Sequence, residues 1–126
     1  MTESGQPGVV VAQKRVYDEP DPSDGVRVLV DRLWPRGLSK ERAHVDVWLR
    51  DVAPSRELRV WFGHDPAKFE EFRRRFVAEL AADPARSALA ELREMARAQP
   101  VTLVFAAHDT EHCNAVVLRE LLARPA

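Results

Sequence analysis

The chain has a single cysteine, Cys113, so no internal disulfide can staple it and its fold must rest on a packed core in keeping with a reducing cytoplasm. Glycine is scarce as well. The five glycines, at positions 5, 8, 25, 37 and 63, form neither GxGxxG nor GxxxxGK[ST], which argues against dinucleotide and P-loop nucleotide cofactors. No apolar run approaches the roughly 20 residues a membrane helix needs, so no membrane partner is expected. Residues 1–8 lack the basic and apolar regions of a secretory signal, and their Gly, Ser and Pro content suggests a disordered tail. Neither sign of charge prevails: 19 Lys plus Arg stand against 20 Asp plus Glu, so no net field draws the chain to nucleic acid. Lysine itself is rare. With only Lys14, Lys40 and Lys68, the cations are almost all arginine, whose planar fork suits carboxylate and phosphate; a GC-rich coding genome would produce the same bias.

What is present is enough for one core. A chain of 126 residues with 45% hydrophobic content has the size of one domain, expected over residues 9–126. Apolar, β-branched runs mark a first strand beginning between Val10 and Lys14, a second over Val26–Val30 after the turn pair Asp24-Gly25, and a third over Val101–Ala106. The last is apolar on both faces, as in a central parallel strand. Ser39 suits the cap of a short turn over Lys40–Ala43, with Val45, Val47 and Trp48 beginning an irregular or extended segment. Ser55 can cap a helix over Arg56–Phe62 that Gly63 ends. Asp65-Pro66 starts a longer helix in which Phe69, Phe72, Phe76 and Leu80 form a core stripe. Asp83-Pro84 repeats the signal ahead of Leu89, Leu92 and Met95, and the short break makes these two helices antiparallel or sharply bent neighbours. The expected architecture is a single α/β domain with a small, mainly parallel sheet flanked by helices, the strands near Val26 and Val101 ending on one edge.

That edge is where open α/β sheets place ligands. The heptad Asp31-Arg32-Leu33-Trp34-Pro35-Arg36-Gly37 leaves the second strand there, with Pro35 and Gly37 forcing a loop that presents a carboxylate and two arginines. The alternative is a structural ion-pair cluster around a core Trp34. After the Val101 strand, the loop His108 to Asn114 leads into a helix that Asp109 or Thr110 would cap, with free backbone N–H groups favouring an anion. Arg32 and Arg36 become the expected anion clamps, with Thr110 and Asn114 opposite. Asp31, Asp109 and His112 are the candidates for acid–base work if the protein is an enzyme. The competing reading makes Asp109 itself the anion at the helix start, paired with an arginine.

His108, His112 and Cys113 do not have the spacing of a metal site: His108 precedes the helix, the adjacent pair diverges by about 100°, and no fourth ligand is evident. Cys113 reads as an inert, buried thiol and Ser55 as a cap rather than a nucleophile. The basic run Arg73-Arg74-Arg75 lies among Glu70, Glu71 and Glu79, as on a solvated, ion-paired helix face. The expected partner is a small phosphate- or carboxylate-bearing ligand, with no cofactor. The alternative is a non-enzymatic regulatory or nucleic-acid-associated module using its arginines on phosphates, and no signature of oligomeric state is evident.

The Asp31–Gly37 heptad, together with Lys14-Arg15-Val16-Tyr17-Asp18, Ala53-Pro54-Ser55, Glu57-Leu58-Arg59, Trp61-Phe62-Gly63-His64-Asp65 and Asn114-Ala115-Val116-Val117-Leu118, resembles the YeaO-like branch of the family called domain of unknown function 488. The resemblance spans residues 14–123. It implies a bacterial α/β fold and a site near the heptad, and no particular reaction; against that pattern Cys113 stands out as a departure.

Overall fold

The computed structural model describes residues 10–124, so the expected tail over residues 1–8 lies outside it. Four strands, β1 (Val11–Arg15), β2 (Val26–Leu29), β3 (Val47–Trp48) and β4 (Val101–Phe105), form one sheet in the order β1-β4-β2-β3. Every pairing is parallel. The α/β class expected from the sequence is the one observed, and the described sheet is wholly rather than mainly parallel.

The last strand among the described residues, β4, lies between β1 and β2, and it is buried on both faces along its whole length. Val101, Leu103 and Phe105 point into the larger core, while Thr102 and Val104 point to the opposite face; all five are buried. Along β2 the same alternation sends Val28 and Val30 to the larger core and Leu29 to the smaller one. Five helices cover the sheet: α1 (Lys40–Ala43), α2 (Arg56–Phe62), α3 (Phe69–Glu79), α4 (Ala85–Ala98) and α5 (Asn114–Ala123). The larger core takes Leu58 and Phe62 from α2, the Phe69, Phe72 and Phe76 stripe from α3, Leu89 and Leu92 from α4, and Val117, Leu118 and Leu122 from α5. The smaller core is Val16, Leu29, Ala43 and Val104, closed by Trp34, Leu38, Val45 and Trp48.

Local signals set the helix ends. Ser39 accepts a bond from the Arg42 N–H, Ser55 from the Leu58 N–H, and Gly63 ends α2 in the left-handed region at φ 54°. Asp65 caps a 3-10 turn over Pro66–Lys68 that runs into α3. One expectation changes. The last helix starts at Asn114, without a side-chain cap, rather than at Asp109 or Thr110, because the Asp109 carboxylate closes a separate turn on the N–H groups of Glu111 and His112. And α3 packs chiefly on α2 and α5, whereas α4 packs on the turn Arg50–Val52 after β3. The short break between α3 and α4 thus coincides with a change of packing partners.

Candidate functional site at the sheet edge

Parallel pairing puts the ends of β1, β2 and β4 on one edge, and there the loops are tied together by side chains on the strands. Asp31, one residue beyond the end of the β2 ladder at Val30, is the centre. Its Oδ2 accepts the Ala106 N–H at 2.8 Å, its Oδ1 accepts Asn114 Nδ2 at 3.2 Å, and its carbonyl accepts Trp48 Nε1 at 2.8 Å. Asn114 also donates to the Val30 carbonyl at 2.9 Å, so the first residue of α5 is pinned to the end of β2. From the other side Arg15 donates to the carbonyls of Ala106 and Ala107 at 2.8 and 3.0 Å. The Ala106 peptide is thus held on both its N–H and its carbonyl.

Burial pushes the Asp31 carboxyl above its ordinary value, and the hydrogen bonds from Ala106 and Asn114 and the charges of Arg59 and His64 oppose that rise without cancelling it. Both oxygens already serve as acceptors. The carboxylate works as a clasp between two loops, and any acid–base role for it would compete with that work.

Asp109 and His112 are brought together: Asp109 Oδ2 lies 2.9 Å from His112 Nδ1, and the imidazole stands edge-on to Phe69 with ring centroids 5.3 Å apart. Hydrogen bonds, first from the Glu111 N–H and then from His112, hold the Asp109 carboxyl below its ordinary value despite some desolvation. The partner of Asp109, expected to be an arginine, is therefore this histidine. Cys113 is buried, and burial pushes its thiol up, which suits the inert reading. His108 is exposed and precedes the helix, and among the described residues no group of three His, Cys, Asp or Glu could hold a metal ion. Thr110 is exposed; its carbonyl accepts Gln13 Nε2 at 2.7 Å.

The two arginines part company. Arg32 turns along the sheet edge to donate to the Ala53 carbonyl at 3.0 Å, with Asp51 3.9 Å away. Arg36 is exposed; its carbonyl accepts the Tyr17 hydroxyl at 2.8 Å, and its guanidinium forms no ion pair with another described residue. Neither makes a hydrogen bond or ion pair to Asp109–Asn114 among the described residues. The shared edge is real, while the direct arginine-to-loop contact expected from the sequence is not made. Trp34 is half-buried, packs edge-on against Trp48 at 5.5 Å and donates to the Leu38 carbonyl, without an ion-pair cluster around it.

Two residues that carried no role in the sequence reading, Arg59 and His64, belong to this neighbourhood. Arg59 lies in the last turn of α2, and His64 follows the Gly63 cap with a left-handed backbone at φ 57°. Their sequence signals are their positions either side of a short helix's end and their places in the Glu57–Arg59 and Trp61–Asp65 motifs that carry the family resemblance. A concave groove of about 480 Å³ lies elsewhere, between the end of β3 and α4, lined by Trp48, Arg50, Asp51, Pro84, Ser87 and Glu91. None of the expected site residues lines it. The basic run on α3 is absorbed as expected: Arg73 pairs with Glu70 and Glu120, and Arg74 and Arg75 both with Glu71. No described helix is long and apolar enough to cross a membrane.

Comparison with known proteins gives this geometry relatives. A family model described as "Inactive DUF488-N3 subclade" matches residues 10–126. Uncharacterized proteins of Mycobacterium tuberculosis and Mycobacterium bovis are 47% identical over 108 residues, covering 86% of this chain and 89% of theirs. The uncharacterized protein YeaO of Escherichia coli is 41% identical over 109 residues, covering 86% of this chain and 93% of its own. No solved structure matches.

Proposed function

The chain belongs to the inactive subclade of the DUF488-N3 family, and from that premise we propose that it binds a small phosphate- or carboxylate-bearing ligand at the sheet edge without transforming it. The observation that carries the reading is an imbalance of free groups there. The half-buried acid, Asp31, spends both oxygens on Ala106 and Asn114, whereas Arg36 stands exposed between Pro35 and Gly37 with no described ion-pair partner. An edge with committed acids and uncommitted cations favours holding an anion over moving protons. The word "inactive" in the family description points the same way.

On this reading charge and bidentate hydrogen bonds supply most of the ligand's recognition. A small ligand is favoured over nucleic acid because Arg73, Arg74 and Arg75 are already paired with glutamates and extend no basic stripe. A thermal-shift screen of phosphorylated and carboxylated metabolites, followed by calorimetric titration of Arg36→Lys and Arg36→Ala with each hit, tests this. Affinity should fall for Lys and fall further for Ala, while stability moves by no more than about 0.5 kcal/mol, as for surface changes. A screen without hits, or equal affinity in all three proteins, overturns the reading.

A further inference from the structure

Two arginine Nε–H groups in the described structure are buried from water and donate to nothing, those of Arg59 and Arg93. Buried donors are almost always satisfied, and a charged one left unpaired weakens the fold, so each calls for a reason. Arg93 at least has a structural bond through another atom, its Nη2, which donates to the Leu121 carbonyl at 3.5 Å and bridges α4 to α5. Arg59 has none. It makes no side-chain hydrogen bond and no ion pair to a described residue, although it is half-buried. Its own helix fixes where it stands. The Arg59 N–H bonds the Ser55 carbonyl at 2.9 Å and its carbonyl receives the Gly63 N–H at 3.0 Å. Ser55 is in turn clamped to α3, with its N–H 2.8 Å and its hydroxyl 2.5 Å from the Glu79 carboxylate.

The acid nearest in effect is Asp31, whose carboxyl feels the charges of both Arg59 and His64 but is engaged by Ala106 and Asn114. The segment entering α2 is tied to this edge by Arg32, which donates to the Ala53 carbonyl at 3.0 Å, and a guanidinium held on that braced helix has donors left for an oxyanion from outside. We propose that Arg59, with His64 following the end of the same helix, is the anchoring cation of an oxyanion site at this sheet edge, taking the phosphate or carboxylate group of the ligand. The assignment rests on the anion-binding reading and deepens it: Arg59 is the cation that holds the charged group.

The test uses inorganic phosphate and acetate as probes on the full chain. In ¹⁵N-resolved NMR spectra the Arg59 Nε–H signal should shift saturably with the preferred probe, and the Arg93 Nε–H signal should stay in place. Calorimetric titration should give about tenfold weaker binding for Arg59→Lys, which keeps the charge and loses the fork, and unchanged binding for Arg93→Lys. Saturable binding by wild type that leaves the Arg59 signal unmoved, or that survives Arg59→Lys, overturns the Arg59 assignment and leaves the anion-binding reading standing. No saturable binding of either probe also overturns the assignment, while metabolite hits from the thermal-shift screen decide the broader reading separately. The spectroscopic readout needs only wild type, so a poorly folding variant does not block the test.

Discussion

Two aspartates respond to their surroundings in opposite directions. Asp24 precedes β2, where burial raises its carboxyl but hydrogen bonds from Lys14, the Asp21 N–H and Arg27 outweigh the burial and hold it below the ordinary 3.8. Lys14 Nζ and Arg27 Nη1 lie 3.0 and 2.8 Å from it, and Arg27 is itself 3% exposed, so removing the carboxylate strands a buried cation. Asp24→Asn should cost about 3 kcal/mol at neutral pH. Because the folded value is depressed, that stability is present above 3.8 and is lost as pH falls through the folded value; the gap between wild type and variant should close below pH 3.8 in urea titrations. Asp31 has the reverse sign. Its folded value is raised, chiefly by burial, so its contribution is full with the group protonated and falls as pH rises from 3.8 through the folded value. Asp31→Asn puts an amide donor against the Ala106 N–H or Asn114 Nδ2 and should cost about 1–3 kcal/mol, with the gap narrowing over that interval. A gap that widens with pH would show that hydrogen bonding, not burial, governs this carboxyl.

Between elements, short connections carry as much constraint as the helices. Gly25 lies at φ 63° between the Pro22–Asp24 turn and β2, and a Cβ there would stand 2.2 Å from the Pro100 carbonyl oxygen. That oxygen also receives the Val26 N–H at 3.0 Å, so it cannot retreat without opening the β2–β4 ladder. Gly37 shares the left-handed backbone, at φ 73°, but has nothing within 4 Å of its missing Cβ. Gly37→Ala should therefore cost only the conformational strain, about 1 kcal/mol, and Gly25→Ala more than about 2 kcal/mol. Thermal melts of the two variants separate clash from strain, and equal losses would remove the Pro100 contact from the account.

At the scale of the whole molecule, the sheet is organised around its last strand. β4 bonds β1 on one side and β2 on the other, and all its residues are buried, whereas β3 is a two-residue edge. Amide hydrogen exchange should be slowest along Leu103–Phe105 and much faster at Val47 and Trp48. Comparable protection in both strands would mean that the molecule opens only as a unit. The same arrangement explains the candidate site: the strand synthesised last brings the Ala106–Asn114 loop beside the end of β2, which is why residues 75 to 84 positions apart meet at Asp31.

Local chemistry was enough to read the strands, the serine caps of α1 and α2, the Gly63 stop, the phenylalanine stripe of α3 and the shared strand edge, because each depends on neighbours a few residues away. Asp31, Asn114, Asp109 and His112 were legible as residues of that edge for the same reason. Their partners were not. Asp109 chose the N–H groups of its own turn and His112 over an arginine, and Arg32 chose the Ala53 carbonyl; such choices depend on distances between loops that periodicity does not encode. The buried Lys14–Asp24–Arg27 group was hidden inside what read as a plain turn and strand, with Arg27 its sole trace. Arg59 was the least visible of all. An arginine on a short helix is ordinary in sequence, and only packing against the sheet edge decides that one of its donors is sealed from water with nothing to bind.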